Sequence, residues 1–276
     1  MPIDHKRINP PEDAVPYKLF TKLNTKSSQE QYQQILDKNQ IRKDGRHASE
    51  HRKIYMKTGV IAHAKGSAYI EQGQTKIVAS VFDPREIPNR LDYCLKGEVY
   101  CDFKFAPFSC PKRRLHQQDS QEKEYSSIMK KALEAAICRH EFPNFQVDVY
   151  VLVLHNAGSA LSAAITAAGA ALASAGIPMF DIITSSTLAI QGKDVLLDPD
   201  FEEETLSEIA IEKEHGIIVI SVLATHDQIS HFHQVGNLPL NVVSDSIDIL
   251  HKSCKEIVPL VQKCVIRSVL AGISET

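Results

Sequence analysis

The chain has 276 residues, 43% of them hydrophobic and 24% charged, and a formal net charge of −3. That composition can fill a sizeable core, which excludes a disordered chain, a collagen-like chain and a disulfide-stapled miniprotein. The near-neutral total also argues against a free-standing, generally basic nucleic-acid binder.

Residues 1–40 are polar and proline-containing, with a glutamine-rich stretch at 27–34, and read as a flexible N-terminal arm. The opening Met-Pro-Ile-Asp-His lacks the apolar segment of a secretory signal. The six cysteines (Cys94, Cys101, Cys110, Cys138, Cys254, Cys264) contain no C-x-x-C pair, so reduced thiols are expected, with neither a disulfide framework nor a zinc site. From Ile54 the pattern becomes strand-like over 55–64, 67–71 and 75–82, turned at Lys65-Gly66 and Gln72-Gly73-Gln74. A polar connection from Asp83 to Glu98 leads to a strand over 99–105 and a basic loop over 107–118. In the helix expected next, Ile128, Leu133, Ala136 and Ile137 recur at helical spacing, and Phe142-Pro143 ends it.

A strand is predicted over 145–154. From Val149 to Phe180 no Asp, Glu, Lys or Arg occurs, which could be mistaken for a membrane span. The run breaks at Asn156-Ala157-Gly158, and Gly176 and Pro178 stop the remainder short of the roughly 20 apolar residues that a span needs. Its second part, mostly Ala, Ser and Gly with Leu161, Ile165 and Leu172, predicts a core helix whose small residues let a neighbouring layer approach. No membrane partner is expected. A hairpin over 181–190 and 194–197 follows, closed by Gln191-Gly192-Lys193, then strands near 208–213, 216–223 and 227–233. A long helix over 242–270 carries Ile247, Leu250, Cys254, Val258 and Val261 on one face. Strands joined by tight turns, without alternating βα units, predict an α+β fold with a mixed sheet, as one compact domain over 41–276.

The chemistry legible in the residues is sparse. No glycine-rich nucleotide cradle lies between a strand and a helix. Asn156-Ala157-Gly158-Ser159 sits where a strand feeds a helix and is either an anion site or a plain cap. His231 and His233 share a strand face without a third metal ligand. Asp194, Asp198, Asp200 and Glu202 to Glu204 could bind Mg²⁺ or be solvated surface, with Asp198 the one expected to point inward. Lys104 to Arg114 carries four positive and no negative residues, interleaved with Phe103, Phe105 and Phe108, and Arg85 and Arg90 lie upstream. Guanidinium forks suit phosphates and aromatic faces suit single-stranded bases. The same stretch also reads as a solvated basic turn whose phenylalanines belong to the core.

The segments Arg42-Lys43-Asp44-Gly45-Arg46 and Lys65-Gly66-Ser67-Ala68-Tyr69-Ile70-Glu71-Gln72-Gly73-Gln74-Thr75-Lys76 closely resemble the RNase PH family. Further matches follow in order at Asp83-Pro84-Arg85-Glu86, Ala106-Pro107-Phe108-Ser109, Ala175-Gly176-Ile177-Pro178-Met179 and Val195-Leu196-Leu197-Asp198. The resemblance implies the β/α domain of that family (ribosomal protein S5 domain 2-like) and, in active members, phosphorolysis of RNA from its 3′ end. It also implies what this chain lacks. The arginine that holds phosphate in active members is Ala160 here, their arginine pair opening the next helix falls on Ser120 and Gln121, and one of two active-site aspartates falls on Gly192 while the other matches Asp198. No catalytic residue, cofactor or metal is therefore expected. Lys65, and the opening Met-Pro-x-Asp-His-x-Arg-Ile, are similar to one ring subunit of the RNA exosome. That likeness implies RNase PH-like ring neighbours, S1/KH cap subunits and single-stranded RNA as partners, and a nuclear, nucleolar and cytoplasmic location. The RNA-binding residues it implies are Arg85, Arg90 and Arg113, and the basic run adds Lys112 and Arg114 as candidates beside them. An active phosphate-dependent exoribonuclease, or a purely structural subunit without RNA contact, are the alternatives.

Overall fold

The computed structural model describes residues 41–87, 93–192, 194–209 and 214–275. The predicted arm over 1–40 lies outside the described residues. Six strands form one sheet: β1 (Ile54–Thr58), β2 (Gly66–Gln72), β3 (Thr75–Val81), β4 (Arg85–Glu86), β5 (Glu98–Phe105) and β6 (Phe145–His155). Four form a second: β7 (Ile183–Gln191), β8 (Asp194–Leu197), β9 (His215–Leu223) and β10 (Gln228–Asn237), in the order β10-β9-β7-β8. The helices are α1 (Ser120–Ala136), α2 (Ala160–Ala175), α3 (Phe201–Glu208) and α4 (Leu240–Glu275).

The first sheet is mixed because β6 runs antiparallel to β3 and β4 but parallel to β5. Along β6, Val147, Val149, Val151 and Val153 point into the core while Tyr150 and Leu152 face outward, the period-two pattern of a strand buried on one side. The crossover from β5 to β6 carries α1, which packs on β5 and on β10 and so links the two sheets.

Helix α2 occupies the centre. It packs on β2 and β3 of the first sheet and on β7 of the second, and only Ala173 and Ser174 escape full burial. A helix covered on both sides has no polar face to keep, which accounts for its composition. The approach is close enough to require glycine. A Cβ on Gly66 of β2 would lie 2.3 Å from the Ala171 carbonyl oxygen, and one on Gly169 of α2 would lie 2.6 Å from Ile183 Cγ2 of β7. Helix α4 covers the other face of the second sheet, with Leu250 and Cys254 set against Leu188, Ile218, Ile220 and Val222. No helix among the described residues is long and apolar enough to cross a membrane.

Helix α1 ends at Ala136, where Ile137 turns extended (ψ 136°), and does not run on to Phe142-Pro143 as expected. Three further elements depart from the sequence expectation. Strand β1 stops at Thr58 and does not reach Ala64, because Gly59 adopts φ 70° and its N–H donates to the Ser67 carbonyl at 2.9 Å. Strand β10 runs on to Asn237, with a bulge between Ile229 and His231. The third is the acidic stretch. Phe201–Glu208 is helix α3, so the strand expected near 208–213 does not begin at Glu208, and residues 210–213 lie outside the described set. Asp200 caps α3, and Glu203 returns the bond to the Asp200 N–H, a capping box that makes a helix of what hydropathy alone presents as surface.

Candidate functional site

Asp198 ends the apolar strand β8, and the chain there turns through φ 52°. Its N–H donates to the Thr187 carbonyl at 2.9 Å, and its side chain is fully buried. Arg52 meets the carboxylate three times: Nη2 to Oδ1 at 2.6 Å, Nε to Oδ2 at 2.9 Å and the backbone N–H to Oδ2 at 2.9 Å. Burial alone would raise the Asp198 carboxyl, but His51 and Arg52 beside it overcome that and hold it well below the usual carboxylate range. The same guanidinium donates to the carbonyls of Ala157 (2.8 Å) and Gly158 (3.1 Å), and Thr75 Oγ1 also donates to Gly158 at 2.8 Å. Arg52 thus ties together the approach to β1, the entrance of α2 and the exit of β8. Arg42 makes a second rivet, its Nη2 donating to the Ala48 and Leu197 carbonyls at 2.6 Å each.

The turn before α2 brings the expected anion-site residues together, and their donors are already engaged. Ser159 adopts φ 52°, its N–H donates to Glu204 Oε2 at 3.1 Å and its hydroxyl to the Pro199 carbonyl at 3.1 Å. Burial pushes the Glu204 carboxyl up to about 7, against the pull of the Ser159 amide. The next residue is Ala160, which brings no charge. Ser120 and Gln121 begin α1; Gln121 Oε1 accepts from Arg114 Nη2 at 2.9 Å. Gly192 sits in the β7–β8 turn at φ 60°. His51 lies between the Ser253 hydroxyl, which contacts its Nε2, and Asp198 Oδ2, 3.8 Å from its Nδ1, an order that mimics a nucleophilic triad, but Ser253 is buried within α4 and its hydroxyl donates to Ser186 at 2.8 Å. Triad chemistry needs an accessible nucleophile, so this is a polar seam between α4 and the core.

The remaining acids also have structural partners. Glu203 caps α3 and pairs with Arg42, and Glu202 pairs with Lys43. Among the described residues no cluster of three or more His, Cys, Asp or Glu is arranged to hold a metal ion. His231 and His233 are half-buried on β10, and burial lowers both imidazoles.

The basic residues divide. Arg85 is 55% exposed and its Nε meets Asp148 Oδ2 at 2.6 Å. Lys112 and Arg113 are exposed on the loop before α1, and neither has an ion-pair partner among the described residues. Arg114 turns inward: its guanidinium lies 4.0 Å over the Phe105 ring, Nε contacts Cys110 Sγ at 3.3 Å, and Nη1 is 3.8 Å from Asp119. Phe103 and Phe105 belong to the core, whereas Phe108 is 73% exposed beside the two free cations. Arg90 lies outside the described residues.

Sequence reasoning singled out Asp198 and Ser159, held Glu204 only as a possible Mg²⁺ ligand or surface acid, and gave Arg42 and Arg52 no role of their own. Arg52 sits in His51-Arg52-Lys53, a polar run with nothing local to mark one cation as buried. The available signal was reciprocal: an aspartate expected to point inward needs a buried cation.

Residues 50–178 match the family model described as "3' exoribonuclease family, domain 1". The chain is 33% identical over 231 residues to the Arabidopsis thaliana exosome complex component RRP41-like, covering 84% of this chain and 86% of that protein. It is 28% identical to the Homo sapiens exosome complex component MTR3, with 97% of this chain and 96% of that protein aligned. Among solved structures, a chain of the Archaeoglobus fulgidus exosome with RNA bound to the active site superposes with a TM-score of 0.72 at 21% identity, over 84% of this chain and 96% of that one. Rice Rrp46 superposes at 0.70 and 23% identity, over 81% of this chain and all of that one.

Proposed function

Because the chain belongs to the RNase PH family of 3′ exoribonucleases, we propose that it is a ring subunit of the RNA exosome that has lost phosphorolysis and helps pass RNA to an associated nuclease. The end-to-end alignment with the human MTR3 component supports the subunit type. The observation that carries the loss of catalysis is the turn at the head of α2. Phosphorolysis needs donors aimed at an incoming phosphate. Here Ser159 gives its amide to Glu204 and its hydroxyl to Pro199, and Ala160 offers no cation. Whenever it is ionised, the Glu204 carboxylate at that helix entrance also repels a second anion. Asp198 is spent on Arg52 and has no free lone pair directed at solvent, being fully buried.

RNA passage falls to the exposed cations Arg85, Lys112 and Arg113, with Phe108 available for stacking, and to Arg90 on the strength of the family resemblance alone. Arg114, engaged with Phe105 and Gln121, holds the loop in shape. The partners in this reading are other RNase PH-like ring subunits, S1/KH cap subunits and single-stranded RNA, in the nucleus, nucleolus and cytoplasm. The test is a purified ring containing this subunit, incubated with 3′-labelled RNA with and without inorganic phosphate. No phosphate-dependent release of nucleoside diphosphates is expected from this subunit. Release that persists when every other nuclease in the assembly has been inactivated would refute the proposal.

A further inference from the structure

Strand β1 is the outermost strand of the first sheet, and among the described residues it pairs only with β2. The Gly73 N–H donates to the Lys53 carbonyl and the Gly59 N–H to the Ser67 carbonyl, both at 2.9 Å, and both contacts continue the β1–β2 register. In an antiparallel pair the bonded positions alternate. Tyr55 and Lys57 therefore exchange bonds with β2, and the N–H and C=O groups of Ile54, Met56 and Thr58 face away from it. An unpaired row of this kind is a template for another strand unless the fold covers or charges it.

Helix α4 runs beside this edge and leaves a groove of about 630 Å³ between them. Tyr55 and Leu260, 55% and 44% exposed, give it an apolar floor. Lys57 from β1 and Lys263 and Arg267 from α4 line it, and no Asp or Glu does. Lys263 and Arg267 are four apart and so share a helix face. None of the three cations has a carboxylate within 4.0 Å among the described residues. The groove thus combines a peptide edge, apolar footholds and positive charge that the chain leaves uncompensated.

We propose that the groove between β1 and α4 is a docking site for an acidic, extended segment of a partner protein, which adds a strand to β1 and sets its carboxylates against Lys57, Lys263 and Arg267. Backbone bonds would supply affinity and alternate side chains selectivity. A strand presents the alternating donors and acceptors that the β1 edge requires, and nucleic acid does not; the edge carbonyls repel phosphate. The inference is independent of whether the subunit is catalytic.

The probe is a fluorescent ten-residue peptide alternating Glu and Val, titrated into the full chain by anisotropy. Comparison ligands are its Lys–Val counterpart, the same acidic peptide N-methylated at alternate residues, and a ten-nucleotide oligouridine. The acidic peptide should bind, the Lys–Val peptide should not, and N-methylation should weaken binding at least tenfold. Lys263→Glu with Arg267→Glu, both at exposed positions, should leave the melting temperature unchanged, abolish binding of the acidic peptide and admit the Lys–Val one. Equal binding of the N-methylated peptide, oligouridine binding more tightly than the peptide, indifference to charge reversal, or no peptide binding by the full chain would each overturn the proposal.

Discussion

Asp198 shows how a residue can keep its family position with a different duty. Its carboxylate has no accessible surface and meets Arg52 three times. Removing one partner of a buried pair strands the other, at about 3–5 kcal/mol. Asp198→Ala should therefore lower unfolding stability by about that amount in urea titrations, and loss of function in such a variant would report folding before chemistry. Glu204 makes a second prediction. Its carboxyl is raised from an ordinary 4.5 to about 7, so the folded chain holds that proton more tightly than the unfolded one. The stability this contributes is complete below about pH 4.5 and is lost as pH rises through about 7. Glu204→Gln should gain on the parent across that interval, by at most ~3 kcal/mol, when denaturation midpoints at pH 4.5 and 8 are compared. At this scale the sequence disclosed which residue types were missing, Ala160 above all. It did not disclose where surviving donors go, because bonds such as Ser159 to Glu204 and Arg52 to Asp198 join residues 45 and 146 positions apart.

Among the elements, α2 was the most legible, since a run of small residues without charge has few uses other than close packing between layers. That packing is testable. Gly169→Ala would put a Cβ 2.6 Å from Ile183 Cγ2 and 2.9 Å from its carbonyl oxygen, and overpacking of this kind costs about 1–3 kcal/mol. Gly66→Ala should cost more, because its new Cβ would meet backbone atoms of Ala171 and Ala175 at 2.3 Å, where no rotamer change gives relief. Thermal melts of the two variants should rank in that order below the parent. Helix α3 was the least legible element. Its eight residues carry little apolar periodicity, and the capping box at Asp200 and Glu203, readable in principle, was hidden within a stretch that looked uniformly acidic. The end of β1 at Gly59 was obscured in the same way, since alternation continues past a residue whose backbone has already turned.

For the molecule as a whole, a net charge of −3 conceals segregation. Acidic side chains around α3 are consumed by caps and by Arg42 and Lys43, while Lys112 and Arg113 stand free beside Phe108. Replacing Lys112 and Arg113 by Glu should lower crosslinking of RNA to the assembled ring without shifting the melting temperature. Arg114→Ala should lower the melting temperature instead, because its guanidinium covers Phe105. Unchanged crosslinks in the first variant would favour a purely structural subunit. The α+β class and the mixed sheet were legible because turns and alternation are local. The division into two sheets was not, since it depends on which strands α2 separates. The junction formed by β6 has a consequence of its own. Among the described residues, strands β4 and β5 pair only with β6, and β3 needs it for its second edge. On a translating ribosome at about 5–20 residues per second, the interval between Val81 and Phe145 leaves β3 half-paired for roughly 3–13 s. A nascent chain stalled in that interval should bind chaperones that recognise open apolar strands, and one extended past His155 should not, a difference that pull-downs of stalled ribosome complexes would read.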